Sequence, residues 1–152
     1  MKICFIPHIE CGNRFRYDST YFFDDFMISL EISLIKYFSQ LEDIDFIIKA
    51  LKGSLYADIL GDYIREKKYR NIFFQDGNLS DTLKKSDLAI IDFPSSTILE
   101  ANKENIPTLI LSYPAISIRK DAIKQFNNIE IFQYKNQKEI LNEISKFIKK
   151  NT

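Results

Sequence analysis

Three consecutive hydroxyl side chains, Ser95, Ser96 and Thr97, follow an apolar run and precede a short amphipathic stretch that carries one carboxylate, Glu100. Where a strand turns into a helix, backbone N–H groups without carbonyl partners collect at the turn, and hydroxyls added there can complete a cradle for a phosphate. Capping the helix needs only one hydroxyl, so three are more than that role requires. Glu100 lies three residues past Thr97 and four past Ser96, which puts it on the same helical flank one turn further on. A carboxylate there can accept two hydrogen bonds from a ribose diol while phosphates occupy the turn. Taken alone, Glu100 is an ordinary solvated glutamate, and the hydroxyl turn beside it is what gives it interest.

Other candidates are spread along the chain. Arg14 and Arg16, with Tyr17, fall in the long loop after the first apolar run, where guanidinium groups can neutralise a diphosphate through paired hydrogen bonds. A solvated loop explains them equally well. His8, the one histidine, directly follows Pro7; without a carboxylate or serine at a recognisable spacing it is weak evidence for acid–base chemistry. Lys49 ends the second apolar run and either faces the same site or only closes its strand. The four glycines, at 12, 53, 61 and 77, are isolated, so neither a dinucleotide-binding glycine turn, nor a P-loop, nor a nucleophile elbow is present. Cys4 and Cys11 lack CxxC spacing and clustered histidines, which argues for reduced thiols and against a zinc site; no metal and no resident cofactor is expected.

The elements that must position these residues can be read from periodicity. Apolar runs of strand length recur at Ile3–Pro7, Ile44–Lys49, Asn71–Gln75, Leu88–Asp92, Thr108–Ser112 and Ile129–Gln133. Between them, Phe23, Met27, Leu30, Leu34, Phe38 and Leu41 trace one face of a long helix, with Asp18, Ser19 or Thr20 as its cap and Asp24 and Asp25 in its first turns. Leu55, Ile59 and Tyr63 mark a second helix, with Ser54 as its cap. A turn or two of helix is expected over Ser80–Lys85, and a last helix over Lys138–Lys150. This alternation predicts an α/β fold: a three-layer Rossmann-like domain, residues 1–152, with a six-stranded parallel sheet and helices on both faces. In such sheets ligands bind beyond the carboxyl ends of the strands where strand order reverses, so the loops after strands one and four matter most.

Composition narrows the partners. Lys plus Arg and Asp plus Glu number 21 each, so no net field draws in nucleic acid or an anionic membrane. No apolar run approaches the roughly 20 residues that span a bilayer, and the first apolar run is too short for a signal peptide, so a cytoplasmic protein is expected. Ile140, Leu141, Ile144, Phe147 and Ile148 on one side of the last helix, with Lys146, Lys149 and Lys150 elsewhere, suit either a membrane-peripheral helix or a terminal helix covering the sheet.

The segment from Asp92 through Ser95, Ser96, Thr97, Leu99, Glu100, Ala101, Asn105 and Pro107 to Thr108 resembles the C-terminal, donor-nucleotide-binding half of GT-B glycosyltransferases. The closer likeness is to transferases of bacterial surface carbohydrates and wall polymers, the polysialyl and CDP-glycerol glycerophosphotransferase types among them. The stretch Arg14–Ser19 is similar to the arginine-containing segment after the first strand of that half. The resemblance implies that the hydroxyl turn holds the diphosphate of a nucleotide-sugar or nucleotide-diphospho-alcohol donor and that Glu100 holds its ribose. It also implies that catalysis needs a second, acceptor-binding domain or subunit. One departure is that Ala50–Leu51 stand where many of these transferases carry His-Pro. A non-catalytic flavodoxin-like or Rossmann-like interaction module, in which the hydroxyl turn is a plain cap, is the competing expectation.

Overall fold

The computed structural model describes residues 1–7, 24–49, 55–113, 119, 121 and 124–152, those at 24, 25 and 55–59 by their backbone alone. Six strands, β1 (Lys2–Ile6), β2 (Asp45–Ile48), β3 (Ile72–Phe74), β4 (Leu88–Ile91), β5 (Thr108–Ser112) and β6 (Ile129–Gln133), pair in the order β3-β2-β1-β4-β5-β6. Every pairing is parallel. Among the described residues five helices accompany them: α1 (Asp24–Phe38), α2 (Leu55–Lys67), α3 (Leu79–Leu83), α4 (Thr97–Lys103) and α5 (Gln137–Lys150). The α/β, Rossmann-like architecture expected from the alternation of runs is the one observed.

Both sides of the sheet are apolar because both are covered. Ile3 and Phe5 of β1, Phe46 and Ile48 of β2, Leu88 and Ile90 of β4, and Leu109 and Leu111 of β5 share one face with α1, α2 and α5. Their neighbours Cys4, Ile6, Ala89, Ile91 and Ile110 point the other way, toward Leu83 of α3 and Ala101 of α4. That is the period-two alternation of a strand with each face buried against a different helical layer. Cys4 is wholly buried, and burial pushes its thiol up to about 12, partly offset by the charge of Lys49.

The helices obey their own stripes with two adjustments. On α1, Met27, Leu30, Leu34 and Phe38 are buried as the spacing predicts, and Glu31 is buried with them. On α2 the buried residues are Leu60 and Ile64, with Tyr63 packed at the margin, so the stripe runs one residue beyond the Leu55–Ile59–Tyr63 line. The side chains of Leu55 and Ile59, and the expected caps at Asp18, Ser19, Thr20 and Ser54, lie outside the described residues. α5 spends its apolar stripe inside the molecule: Ile140, Ile144 and Phe147 are buried against the sheet, and Tyr37 of α1 bonds Ser145 at 2.6 Å. Its lysines are partly engaged, Lys150 with Glu130 and Lys146 with Glu143. Of the two readings of this stripe, the terminal helix covering the sheet is the one observed. Among the described residues no helix is long and apolar enough to cross a membrane.

The two ends of the sheet differ in how they treat polar groups. At the amino ends of the strands, the Asn71 side-chain amide donates to the carbonyls of Phe38, Leu41 and Ile44 at 2.9, 3.0 and 2.9 Å. This ties the end of α1 and the following turn to the start of β3. The Asp87 carboxylate accepts from the Lys2 N–H at 2.7 Å, and the N-terminal ammonium donates to the Asp43 carbonyl at 2.9 Å. The carboxyl ends carry the candidate site.

Candidate functional site

Strand order reverses between β1 and β4, which are direct neighbours with Ile6 opposite Ile91. The next residues, Pro7 and Asp92, stand side by side at the mouth of the sheet, and Asp92 is almost wholly buried. α1 and α4, the described helices after β1 and β4, pack on opposite faces of the sheet, the arrangement that opens a crevice in doubly wound sheets. Pro94 has no N–H to donate and biases Phe93 toward an extended backbone, so β4 ends and the hydroxyl turn begins.

Ser95 and Ser96 are exposed and Thr97 half-buried. Ser96 takes the cap position of α4 with its backbone already helical (φ −60°, ψ −17°), and its side chain makes no capping hydrogen bond. The hydroxyls of Ser95 and Thr97 pair with each other at 2.6 Å. Plain capping therefore does not account for Ser96, whereas Asn78 and Asn136, the caps of α3 and α5, both accept from first-turn N–H groups through their side chains. The N–H groups of Ile98 and Leu99 are already bonded to the Ser95 and Ser96 carbonyls. With only seven residues, α4 brings little dipole to its start, so the hydroxyls and the N–H groups before Ile98 are the features able to hold an anion.

Glu100 is exposed, and its direction follows from its neighbour one turn later. Glu104 accepts from the Ser80 hydroxyl at 2.6 Å and lies 4.0 Å from Lys84, so the flank of α4 that carries Glu104 faces α3. Helical spacing puts Ser96 and Glu100 on that same flank. Ser96 stands at the cap of α4 and Glu100 in its first turn, the spacing read from the sequence.

Lys49 joins them. It follows β2, is largely buried, and donates its backbone N–H to the Phe5 carbonyl at 2.8 Å. Two residues beyond Ile47, which pairs with Cys4, it shares the α4 side of the sheet. β1 alone separates β2 from β4, so the cation and the hydroxyl turn lie across about 10 Å of sheet. His8, Arg14 and Arg16 lie outside the described residues. Among the described residues no cluster of His, Cys, Asp and Glu could hold a metal ion.

The rest of the segment that carried the resemblance does structural work. Asn105 adopts φ 56°, the left-handed conformation that asparagine tolerates better than most residues. The Asn105 N–H bonds the Asn102 carbonyl at 3.0 Å and the Ile106 N–H bonds the Ala101 carbonyl at 3.3 Å, the paired bonds of a Schellman helix stop. Ala101 and Ile106 bury their side chains in one cluster, and Thr108 donates its hydroxyl to the Ile106 carbonyl at 2.8 Å. Leu99, by contrast, is 60% exposed.

Two further residues of this edge were assigned no site role from sequence. Asp92 was legible only as a strand end, although a carboxylate directly after a wholly apolar run in a parallel sheet is a signal of a buried acid at the switch point. Tyr134, one residue beyond β6, is wholly buried, and burial first, then the charge of Asp92 and then Tyr113, raises its phenol above the usual range. Nothing in the sequence distinguishes it from an ordinary core aromatic. No protein-family model, no curated protein and no solved structure matches this chain; what its structure shows is a parallel, six-stranded Rossmann-like sheet.

Proposed function

We propose that this domain binds a nucleotide-diphosphate donor, a nucleotide-sugar or nucleotide-diphospho-alcohol, at the carboxyl edge of the sheet. In this reading it is the donor half of a transferase of bacterial surface polysaccharide. The observation that carries the reading is that a cation and a hydroxyl turn whose Ser96 makes no capping bond follow strands on either flank of β1, on one side of the sheet: Lys49 after β2, Ser95–Thr97 after β4. The diphosphate lies between them. Glu100, exposed in the first turn of α4, accepts from the ribose diol. A carboxylate suits a neutral diol and repels a further phosphate, which favours an unphosphorylated ribose. Arg14 and Arg16 are proposed as further diphosphate ligands, and His8 as a group at the same mouth. The residues on this edge supply binding; the acceptor and its base come from a second domain or subunit.

Thermal denaturation with UDP, CDP, GDP and their sugar or alcohol conjugates tests this. At least one nucleotide diphosphate raises the melting temperature by several degrees, and Ser96→Ala and Glu100→Ala each remove most of that rise. Absence of any shift with every nucleotide would remove the basis for the reading and leave an interaction module whose hydroxyl turn has no ligand.

A further inference from the structure

Tyr134 has a hydroxyl with no visible employment. Its ring stacks on Phe26 of α1 at 6.3 Å between centroids and tilts against Tyr113, which follows β5, at 6.1 Å. The residue is wholly buried, and its oxygen has no hydrogen-bond partner among the described residues. Burying an unsatisfied hydroxyl is unfavourable, and a phenylalanine would fill the same space without that cost. The oxygen is therefore a feature to be explained by use.

The register of the sheet shows which residues share its face at this edge. Ile91, Ile110 and Ile131 are aligned across β4, β5 and β6, so Asp92, Leu111 and Phe132 form the next row. Asp92, in line with Leu88 and Ile90, and Tyr134, two residues past Phe132, both fall on the α1 side of the sheet. That is the side opposite Lys49 and α4. The phenol stays neutral here, because burial and the Asp92 charge both oppose its ionisation. It is thus a dependable donor, while an ionised carboxylate accepts at several lone pairs and keeps capacity beyond any one contact. A ligand hydroxyl accepts from the first and donates to the second. A phosphate would meet the Asp92 charge, and an alkyl group would satisfy neither partner. Phe26 and Tyr113, both half-buried, add flat apolar faces suited to the C–H surface of a sugar or polyol.

We propose that Tyr134 and Asp92 form a hydroxyl-recognition subsite for the sugar or polyol carried by the donor, on the α1 side of the switch point, with the nucleotide on the α4 side. This rests on the donor-binding reading above. The full-length chain and its Tyr134→Phe variant are titrated calorimetrically with UDP, GDP and CDP and, in parallel, with UDP-glucose, GDP-mannose and CDP-glycerol. The wild type binds one conjugate more tightly than its parent diphosphate. Tyr134→Phe weakens that conjugate about tenfold, leaves the diphosphate unchanged, and melts at the same or a higher temperature. Conjugates that bind the wild type no better than diphosphates, an unchanged conjugate affinity in the variant, or equal losses for both ligand types overturn the subsite while leaving the donor reading intact. A fall in the variant's melting temperature overturns it as well, because the hydroxyl would then be a structural group. Failure of every nucleotide to bind the wild type overturns the donor reading and the subsite together.

Discussion

The amino and carboxyl edges of this sheet are built from the same six strands yet handle polar groups in opposite ways. At the amino edge, side chains are consumed in holding the chain together: Asn71 spans three carbonyls, Asp87 clasps the Lys2 N–H, and Asn128 donates to Asn105. At the carboxyl edge, Ser96 caps nothing with its hydroxyl, Glu100 is exposed, and the buried Tyr134 oxygen has no partner among the described residues. A fold needs its turns closed, and one edge shows that closure. The other, among the described residues, keeps donors and acceptors that no turn or cap uses, and those are the groups to which the proposed ligand is assigned.

The contrast breaks first at Asn71. Replacing it with leucine removes bonds to three carbonyls in a buried position and is expected to cost about 3 kcal/mol, read from urea unfolding, with nucleotide binding by the remaining folded protein unchanged. The interior between the edges is probed by pH. The folded Cys4 thiol is raised from 9.0 to about 12, so its contribution is complete below pH 9 and is lost as pH rises through that window. Wild-type stability should fall there more steeply than that of Cys4→Ala, by roughly 1.4 kcal/mol per pH unit.

Smaller substitutions compare one hydroxyl with one cap. Asn136→Ala loses the side-chain cap that accepts from the Glu139 N–H at 3.1 Å, and about 1 kcal/mol of stability should go with it. Ser96→Ala should change stability by less than about 0.5 kcal/mol, because its side chain makes no capping bond. Equal costs for the two variants in thermal unfolding would make the hydroxyl turn a cap after all and erase the distinction between the edges.

Much of this layout was legible in the sequence. β5 and β6 fall where the apolar runs place them, and the other strands differ by a residue or so at their ends, because continuous apolar runs flanked by polar residues leave a parallel strand few alternatives. Ser96 and Glu100 were legible as a pair, since helical spacing alone puts them on one flank. What escaped depends on contacts distant in sequence. Asn71 reads as the first residue of a strand, and its clamp on carbonyls about 30 residues earlier has no local signature. Tyr134 reads as one more core aromatic, and its isolated hydroxyl becomes visible only once β6 is aligned with β4. The segment behind the resemblance also divides: Ala101, Asn105 and Ile106 stop a helix and would do so in any protein, so its evidence for a ligand narrows to Asp92, Ser95–Thr97 and Glu100.

Amide chemical-shift mapping of the labelled protein with the best-binding nucleotide diphosphate tests the central claim most directly, because it reports on both edges at once. Perturbations concentrated at Ile6, Lys49, Asp92, Phe93 and Ser95–Glu100, with Asn71, Asp87 and Asn128 unmoved, are the predicted result. Perturbations at the amino edge, or none at the carboxyl edge under saturating ligand, would contradict it.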